Sequence, residues 1–129
     1  MKLLFVCSGN TCRSPMAAAL AAAKFAGAVE VRSAGLECGP GLPAARNAVT
    51  VMEERGVDIS SHSSTDVDDL DLNEFDIVVA MSAVVGGSLQ SRGARRLEQW
   101  EIADPYGGDL ARYRKAAEEI ASALDGLSL

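Results

Sequence analysis

The sequence predicts a single α/β domain with a parallel sheet, spanning residues 1–129, on three observations. Lys2–Val6 and Asp76–Met81 are short apolar runs with the look of strands buried on both faces. Helix-period segments follow them, Ala-rich after Ser14 and amphipathic after Asp109. The two kinds of element alternate along the chain with no repeat, low-complexity tract or linker between them, the pattern of a sheet covered by helices.

Lys2–Val6 opens the sheet and meets a turn-forming stretch, Cys7-Ser-Gly-Asn-Thr-Cys-Arg13. Ser14-Pro15 reads as a helix start, with Ser14 as N-cap and Pro15 at the first helical position. The helix runs to Ala26 and stops at Gly27, and its small side chains suit close packing on a sheet. Val29–Ser33 alternates apolar and polar and is a second strand. Ala34–Leu42, with three glycines and a proline, is a loop. Pro43–Arg55 is a helix with Ala45, Ala48, Val49 and Met52 on one face and Gly56 beyond its end. Ser60–Thr65 is a polar loop. Asp66–Leu72 is a short helix whose first-turn acids suit the helix dipole. Asp76–Met81 is the clearest strand, Ala83–Ser91 a helix weakened by Gly86-Gly87, Leu97–Ile102 a fourth strand and Asp104–Gly108 a loop. Leu110, Tyr113, Ala117, Ile120 and Leu124 mark one face of the last helix.

The chain is 48% hydrophobic and 23% charged, a globular balance, and long enough to bury a core without disulfides. Aromatics are 5% and the net charge is −6, so neither stacking platforms nor a positive groove for nucleic acid is expected. The acidity is local. Residues 58–76 hold seven acids and no Lys or Arg, and the remainder is close to neutral, which leaves room for an anionic substrate. Leu3–Cys7, the longest apolar run near the start, is too short for a membrane span or a signal-peptide core, and the chain reads as cytoplasmic. Three cysteines, Cys7, Cys12 and Cys38, argue against a disulfide framework. With no Cys-x-x-Cys and His62 as the single histidine, no metal or other cofactor is expected.

Ligands of such sheets bind beyond the carboxyl ends of the strands. There the loop Cys7–Arg13 meets the start of the next helix. Gly9 and Asn10 can take positive φ, so successive N–H groups can curl into a nest that the helix N-terminus reinforces. Arg13 adds a guanidinium. The natural guest is phosphate or a similar oxyanion. A cysteine at the mouth of that site, with Ser14 placed to donate to its sulfur, is expected to act as a thiolate aimed at phosphorus. Arg13 would hold two equatorial oxygens. Asp104, after the last strand and stiffened by Pro105, would protonate the leaving group and then activate water. Taken singly, Cys7 is an ordinary buried cysteine at a strand end and Asp104 caps a turn. Together with Gly9, Asn10, Arg13 and Ser14 they make a site. Cys38 reads as incidental, Asp66–Asp76 as a solvated face, Arg92, Arg95 and Arg96 as surface charges, and Tyr113 as core packing. Tyr106 reads as a pocket wall.

Cys7-Ser-Gly-Asn-Thr-Cys-Arg-Ser-Pro15 resembles the signature loop of the low-molecular-weight protein tyrosine phosphatases. Asp104-Pro-Tyr-Gly107 resembles their general-acid loop, and Ser33-Ala-Gly35 and the placement of His62 also match, so the likeness runs from Met1 to about Leu124. The resemblance implies a three-layer, flavodoxin-like fold with a four-stranded parallel sheet, catalysis without metal and a phosphorylated protein substrate. It implies that Ser8, Gly9, Asn10, Thr11, Cys12 and Ser14 shape and support the phosphate loop, that Asn10, Ser33 and His62 brace it, and that Cys12 can bond to an oxidised Cys7. The chain departs from the family's pattern in three ways. It is shorter between Met81 and Asp104. Ala18 stands where many members have Glu. The Gly39 region replaces a second rim aromatic. Thr11 resembles the phosphoarginine-phosphatase branch, where a hydroxyl could bond a guanidinium.

The first reading is thus a phosphotyrosine phosphatase with Cys7 as nucleophile, Arg13 as phosphate ligand, Asp104 as acid and base, and Thr11 and Tyr106 on the pocket wall. A phosphoarginine phosphatase is the alternative. Thioredoxin-coupled arsenate reductases share the loop but need two further cysteines in a mobile segment. Here that region offers Ser82, Ser88 and Ser91. A non-catalytic phosphate-binding adaptor is disfavoured because nucleophile, arginine and acid are all present.

Overall fold

Leu3, Leu4, Phe5 and Val6 have no exposed surface, and each such burial contributes about 1.5–3 kcal/mol, which makes this strand the centre of the sheet. In a computed structural model describing Met1–Leu129, it forms β1 (Lys2–Cys7), followed by α1 (Arg13–Phe25), β2 (Glu30–Gly35), α2 (Arg46–Glu54), β3 (Ile77–Ala80), α3 (Ala83–Ser91), β4 (Leu97–Gln99) and α4 (Leu110–Asp125). The sheet has the order β2-β1-β3-β4 and every neighbouring pair is parallel. Strand periodicity sends alternate residues to opposite faces. Leu3, Phe5, Ile77 and Val79 pack with α1, α2 and α4, while Leu4, Val6, Val78 and Ala80 pack with α3 and with Val67, Leu72 and Phe75. The result is a three-layer α/β fold of the flavodoxin-like kind. No helix is long and apolar enough to cross a membrane.

Several boundaries differ from the sequence reading, each for a local reason. Helix α1 begins at Arg13 with Cys12 in the cap position, and no side chain caps it. Ser14 is inside the helix because its hydroxyl is engaged with the phosphate loop. Pro15, the third helical residue, lacks an N–H that would have had no partner there. Helix α2 starts at Arg46, not Pro43, since Ala45 is extended and donates its N–H to the Thr11 carbonyl at 2.9 Å. Its buried face includes Val51 with Ala48 and Met52, whereas Ala45 and Val49 are only half-buried. Asp66–Leu72 is not an α-helix. Two single 3₁₀ turns, Val67–Asp69 and Leu72–Glu74, are capped by the Asp66 and Asp71 carboxylates, which accept from the N–H groups two residues on and so compete with helix. Strand β2 extends to Gly35 and β4 stops at Gln99. At Gly86 of α3 a Cβ would meet the end of the Gln99 side chain of β4. The acidic stretch is partly paired: Asp68 bonds Arg92, and the Asp76 carboxylate accepts from the Lys2 amide at 2.8 Å.

Candidate active site

β1 delivers Cys7 to the carboxyl edge of the sheet, beside Gly35 of β2 in register. The loop then turns back into α1. The amide groups of Ser8, Gly9, Thr11, Cys12, Arg13 and Ser14 have no hydrogen-bond acceptor within the chain. Six donors thus remain free along the loop that follows Cys7 and the start of α1, the positive end of a helix. The Asn10 N–H donates to Cys7 Sγ at 3.2 Å, and Ser14 Oγ lies 3.0 Å from the same sulfur. Ser14 has one proton and two acceptors in reach, Cys7 Sγ and the Ala34 carbonyl at 3.3 Å. An S–H would donate to Ser14 and send that proton to Ala34, while an ionised sulfur would draw it back.

Asn10 is the centre of the bracing. It has no exposed surface and takes φ 54°, a left-handed conformation that Asn tolerates. Its Nδ2 donates to Ser14 Oγ at 2.8 Å and to Ser33 Oγ at 3.0 Å. Its Oδ1 accepts from the Thr65 amide at 2.9 Å. Its carbonyl lies 2.7 Å from His62 Nε2, which therefore carries the proton of that ring. Gly9 does not take positive φ, contrary to expectation, so Asn10 alone makes the left-handed turn. Gly35 is required by packing: a Cβ would stand 2.9 Å from both the Ser8 carbonyl and Cys38 Sγ. No buried side-chain nitrogen or oxygen is left without a partner.

The cleft above Cys7 measures about 370 Å³. Ser8, Gly9, Thr11, Cys12, Arg13, Asp104 and Tyr106 line it with Cys7, while Asn10, Ser14, Ser33 and His62 stand behind the loop. Arg13 is only 6% exposed and anchored by Nη1 to the Ile102 carbonyl at 3.0 Å. Its Nη2 stands 3.7 Å from Asp104 Oδ2, so the cation and the acid face each other across the cleft. The other Asp104 oxygen accepts from the Tyr106 amide at 3.1 Å, so this carboxylate caps its turn and faces the cleft at once.

Gly39 stands on the wall, in the region where the resemblance put the rim, and two further wall residues escaped the sequence reading: Cys38 and Leu42. Cys38 is not incidental. It follows β2 by three residues, and β2 is the parallel neighbour of β1, a topological signal that would have placed it at this edge. Burial pushes its thiol above the ordinary value. Tyr113 does more than pack, since its hydroxyl lies 3.4 Å from Cys12 Sγ. Burial raises the Cys12 thiol as well, against hydrogen bonds from Tyr113 and Thr11 that lower it. The Tyr113 hydroxyl is raised by burial first and by its Cys12 contact second.

Comparison with known proteins gives consistent matches along the chain. Residues 2–128 match the family described as low molecular weight phosphotyrosine protein phosphatase. A probable low molecular weight protein-tyrosine-phosphatase, EpsP, from Ralstonia nicotianae is 36% identical over 95% of this chain and 90% of its own length. A protein-arginine-phosphatase from Geobacillus stearothermophilus is 35% identical over 98% and 93%. A glutaredoxin arsenate reductase from Synechocystis is 31% identical over 98% and 95%. The crystal structure of a low molecular weight protein tyrosine phosphatase from T. tengcongensis superposes with a TM-score of 0.90 at 38% identity, covering 97% of this chain and 95% of that one.

Proposed function

The chain belongs to the low molecular weight phosphotyrosine protein phosphatase family, a family of phosphoric monoester hydrolases, and from that premise we propose that it hydrolyses protein phosphotyrosine through a phosphocysteine at Cys7. The observation that carries this reading is the set of six amides without an acceptor in the loop between Cys7 and the first turn of α1. They and Arg13 seat the three equatorial oxygens of the phosphoryl group and neutralise charge that grows in transfer. The sulfur attacks phosphorus, the P–O bond to the leaving group breaks, and Asp104 gives that oxygen its proton. The same carboxylate, now ionised, takes a proton from water as the water oxygen attacks phosphorus. Phosphate leaves and the sulfur is restored. Anchoring Arg13 to the Ile102 carbonyl supports this, because a fixed guanidinium needs no reorganisation when the substrate arrives.

One observation favours a second substrate. Thr11 lines the cleft, and its hydroxyl has only a 3.8 Å contact to Cys12 Sγ, which leaves it free to accept from a guanidinium. Phosphoarginine is therefore the alternative. Arsenate reduction is less well supported, because α3 carries Ser88 and Ser91, with Ser82 at its cap, where a relay would need cysteines.

The test is hydrolysis of phosphotyrosine and phosphoarginine proteins by wild type, Cys7→Ser and Thr11→Ile, with acid-quench mass spectrometry of the Cys7 peptide. Cys7→Ser should lose about 10⁴-fold or more of the rate, and wild type should yield a phosphorylated Cys7. Full hydrolysis by Cys7→Ser would overturn the mechanism. Far better turnover of phosphoarginine, reversed by Thr11→Ile, would replace the substrate.

A further inference from the structure

The Asp104–Pro105 segment is a partition with a cleft on each side. One is the candidate active site. The other measures about 240 Å³, shares Asp104 as a lining residue, and is walled by Arg112, Lys115, Ala116 and Glu119, one stripe of α4. We propose that this second cleft is a subsite for a carboxylate on the polypeptide substrate, from an Asp or Glu flanking the phosphorylated residue. The proposal rests on the phosphatase reading above.

The argument begins with charges that folding does not explain. Arg112 and Lys115 are exposed and enter no ion pair. Arg114 between them is held by Glu54 through two hydrogen bonds, at 3.0 and 2.7 Å. Both free cations lie in the first two turns of α4, after the Asp109 cap, where the helix dipole disfavours positive charge. Spaced three apart on a helix, they also repel each other. Glu119 sits four residues C-terminal to Lys115, the weaker order for a helical pair, and does not reach it as a salt bridge. An incoming anion would relieve both unfavourable terms.

The placement fits a substrate. The Arg112 side chain lies against the acid loop, its Cδ 2.6 Å from where a Gly108 Cβ would stand. A residue next to the one held over Cys7 therefore meets Arg112 on crossing the partition. Asp104 lines this cleft too, but its carboxylate also faces the Arg13 guanidinium, with Nη2 3.7 Å from Oδ2, which offsets its charge toward the anion. Glu119 would repel a carboxylate, which favours the Arg112 end of the cleft.

The test compares paired phosphotyrosine peptides, Glu against Gln at the flanking positions, in low salt. Wild type should favour the Glu peptide about three- to tenfold in kcat/KM, through KM, with the preference vanishing near 0.5 M salt. The Arg112→Gln/Lys115→Gln double variant should bring the ratio close to one, and Glu119→Gln should raise it. The Gln peptide serves each variant as its own reference for folding. A wild-type ratio of one, or a ratio that survives the double variant, overturns the subsite. An aryl phosphate separates the two failures. Wild type that hydrolyses it without Glu preference refutes the subsite alone, and wild type that hydrolyses nothing refutes the phosphatase reading with it.

Discussion

The two lips of the cleft are built in opposite ways. The phosphate loop turns on Asn10, which is wholly buried and bonded through both side-chain atoms, its amide and its carbonyl. The acid loop is open. Asp104 is 51% exposed and Tyr106 72% exposed. Its ties are the Asp104 ion pair with Arg13 at 3.7 Å, a Gly108 amide to the Pro105 carbonyl at 2.8 Å, the Asp104 cap on Tyr106, and Asn47 Nδ2 to the Gly108 carbonyl at 3.3 Å. The difference follows from the two tasks. Binding a tetrahedral anion needs donors fixed before it arrives. Protonating a leaving group that is itself a protein, and then admitting water, needs room.

The comparison breaks if stability and activity fail together at both lips. The largest effect expected is at Asp104. Asp104→Asn should lower kcat on phosphotyrosine peptides about 10²–10⁴-fold, and less on an aryl phosphate whose leaving group needs no proton. Its urea midpoint should barely move, because the site is exposed. A large loss of stability there would contradict an open lip. Asn10→Ala should do both kinds of damage. Loss of its three side-chain bonds should cost about 2–4 kcal/mol in urea unfolding, and the displaced loop should lose about 100-fold in kcat/KM. Wild-type stability in that variant would show that the hub is redundant. Gly35→Ala comes next. The Ser8 carbonyl cannot give way to a new Cβ, so the expected cost is about 1–3 kcal/mol in thermal or urea unfolding, with the phosphate loop displaced.

The same contrast governs what was legible in the sequence. Cys7–Ser14 is eight contiguous residues, so Cys7, Asn10, Arg13 and Ser14 can be related by local chain geometry alone. The alternation of strands and helices was equally local. What stayed hidden depends on where distant segments land. Nothing near Asn10 announces that the Thr65 amide will meet its Oδ1. Asp66–Leu72 reads as one short helix through its first-turn acids and the helix dipole, but short-range bonds from the Asp66 and Asp71 carboxylates to amides won, giving two tight turns. Cys38 and Leu42 lie in a glycine-rich stretch with no period to betray a facing direction, and only the packing of β2 against β1 brings them to the wall.

The smallest effect sharpens the buried lip from below. Cys12 lies under the phosphate loop, and burial holds its thiol above the ordinary value near 8.5. The folded chain therefore keeps that proton at pH values where the unfolded chain has lost it. The stability this supplies is complete below about pH 8.5 and is lost as pH rises through the folded value. Tyr113 works in the same direction above its own ordinary value, about 10. Unfolding free energy from urea titrations should thus fall between about pH 8 and 10, by at most ~1.4 kcal/mol per pH unit for each group involved. Cys12→Ala should flatten that fall. It also strips Tyr113 of a partner, but that cost is the same at pH 7 and pH 9, so the slope and not the level is the readout. Cys38→Ala, at a more open position on the same wall, should flatten it less. An unchanged slope in Cys12→Ala would mean that the space beneath the loop is wetter than its packing against Tyr113 requires.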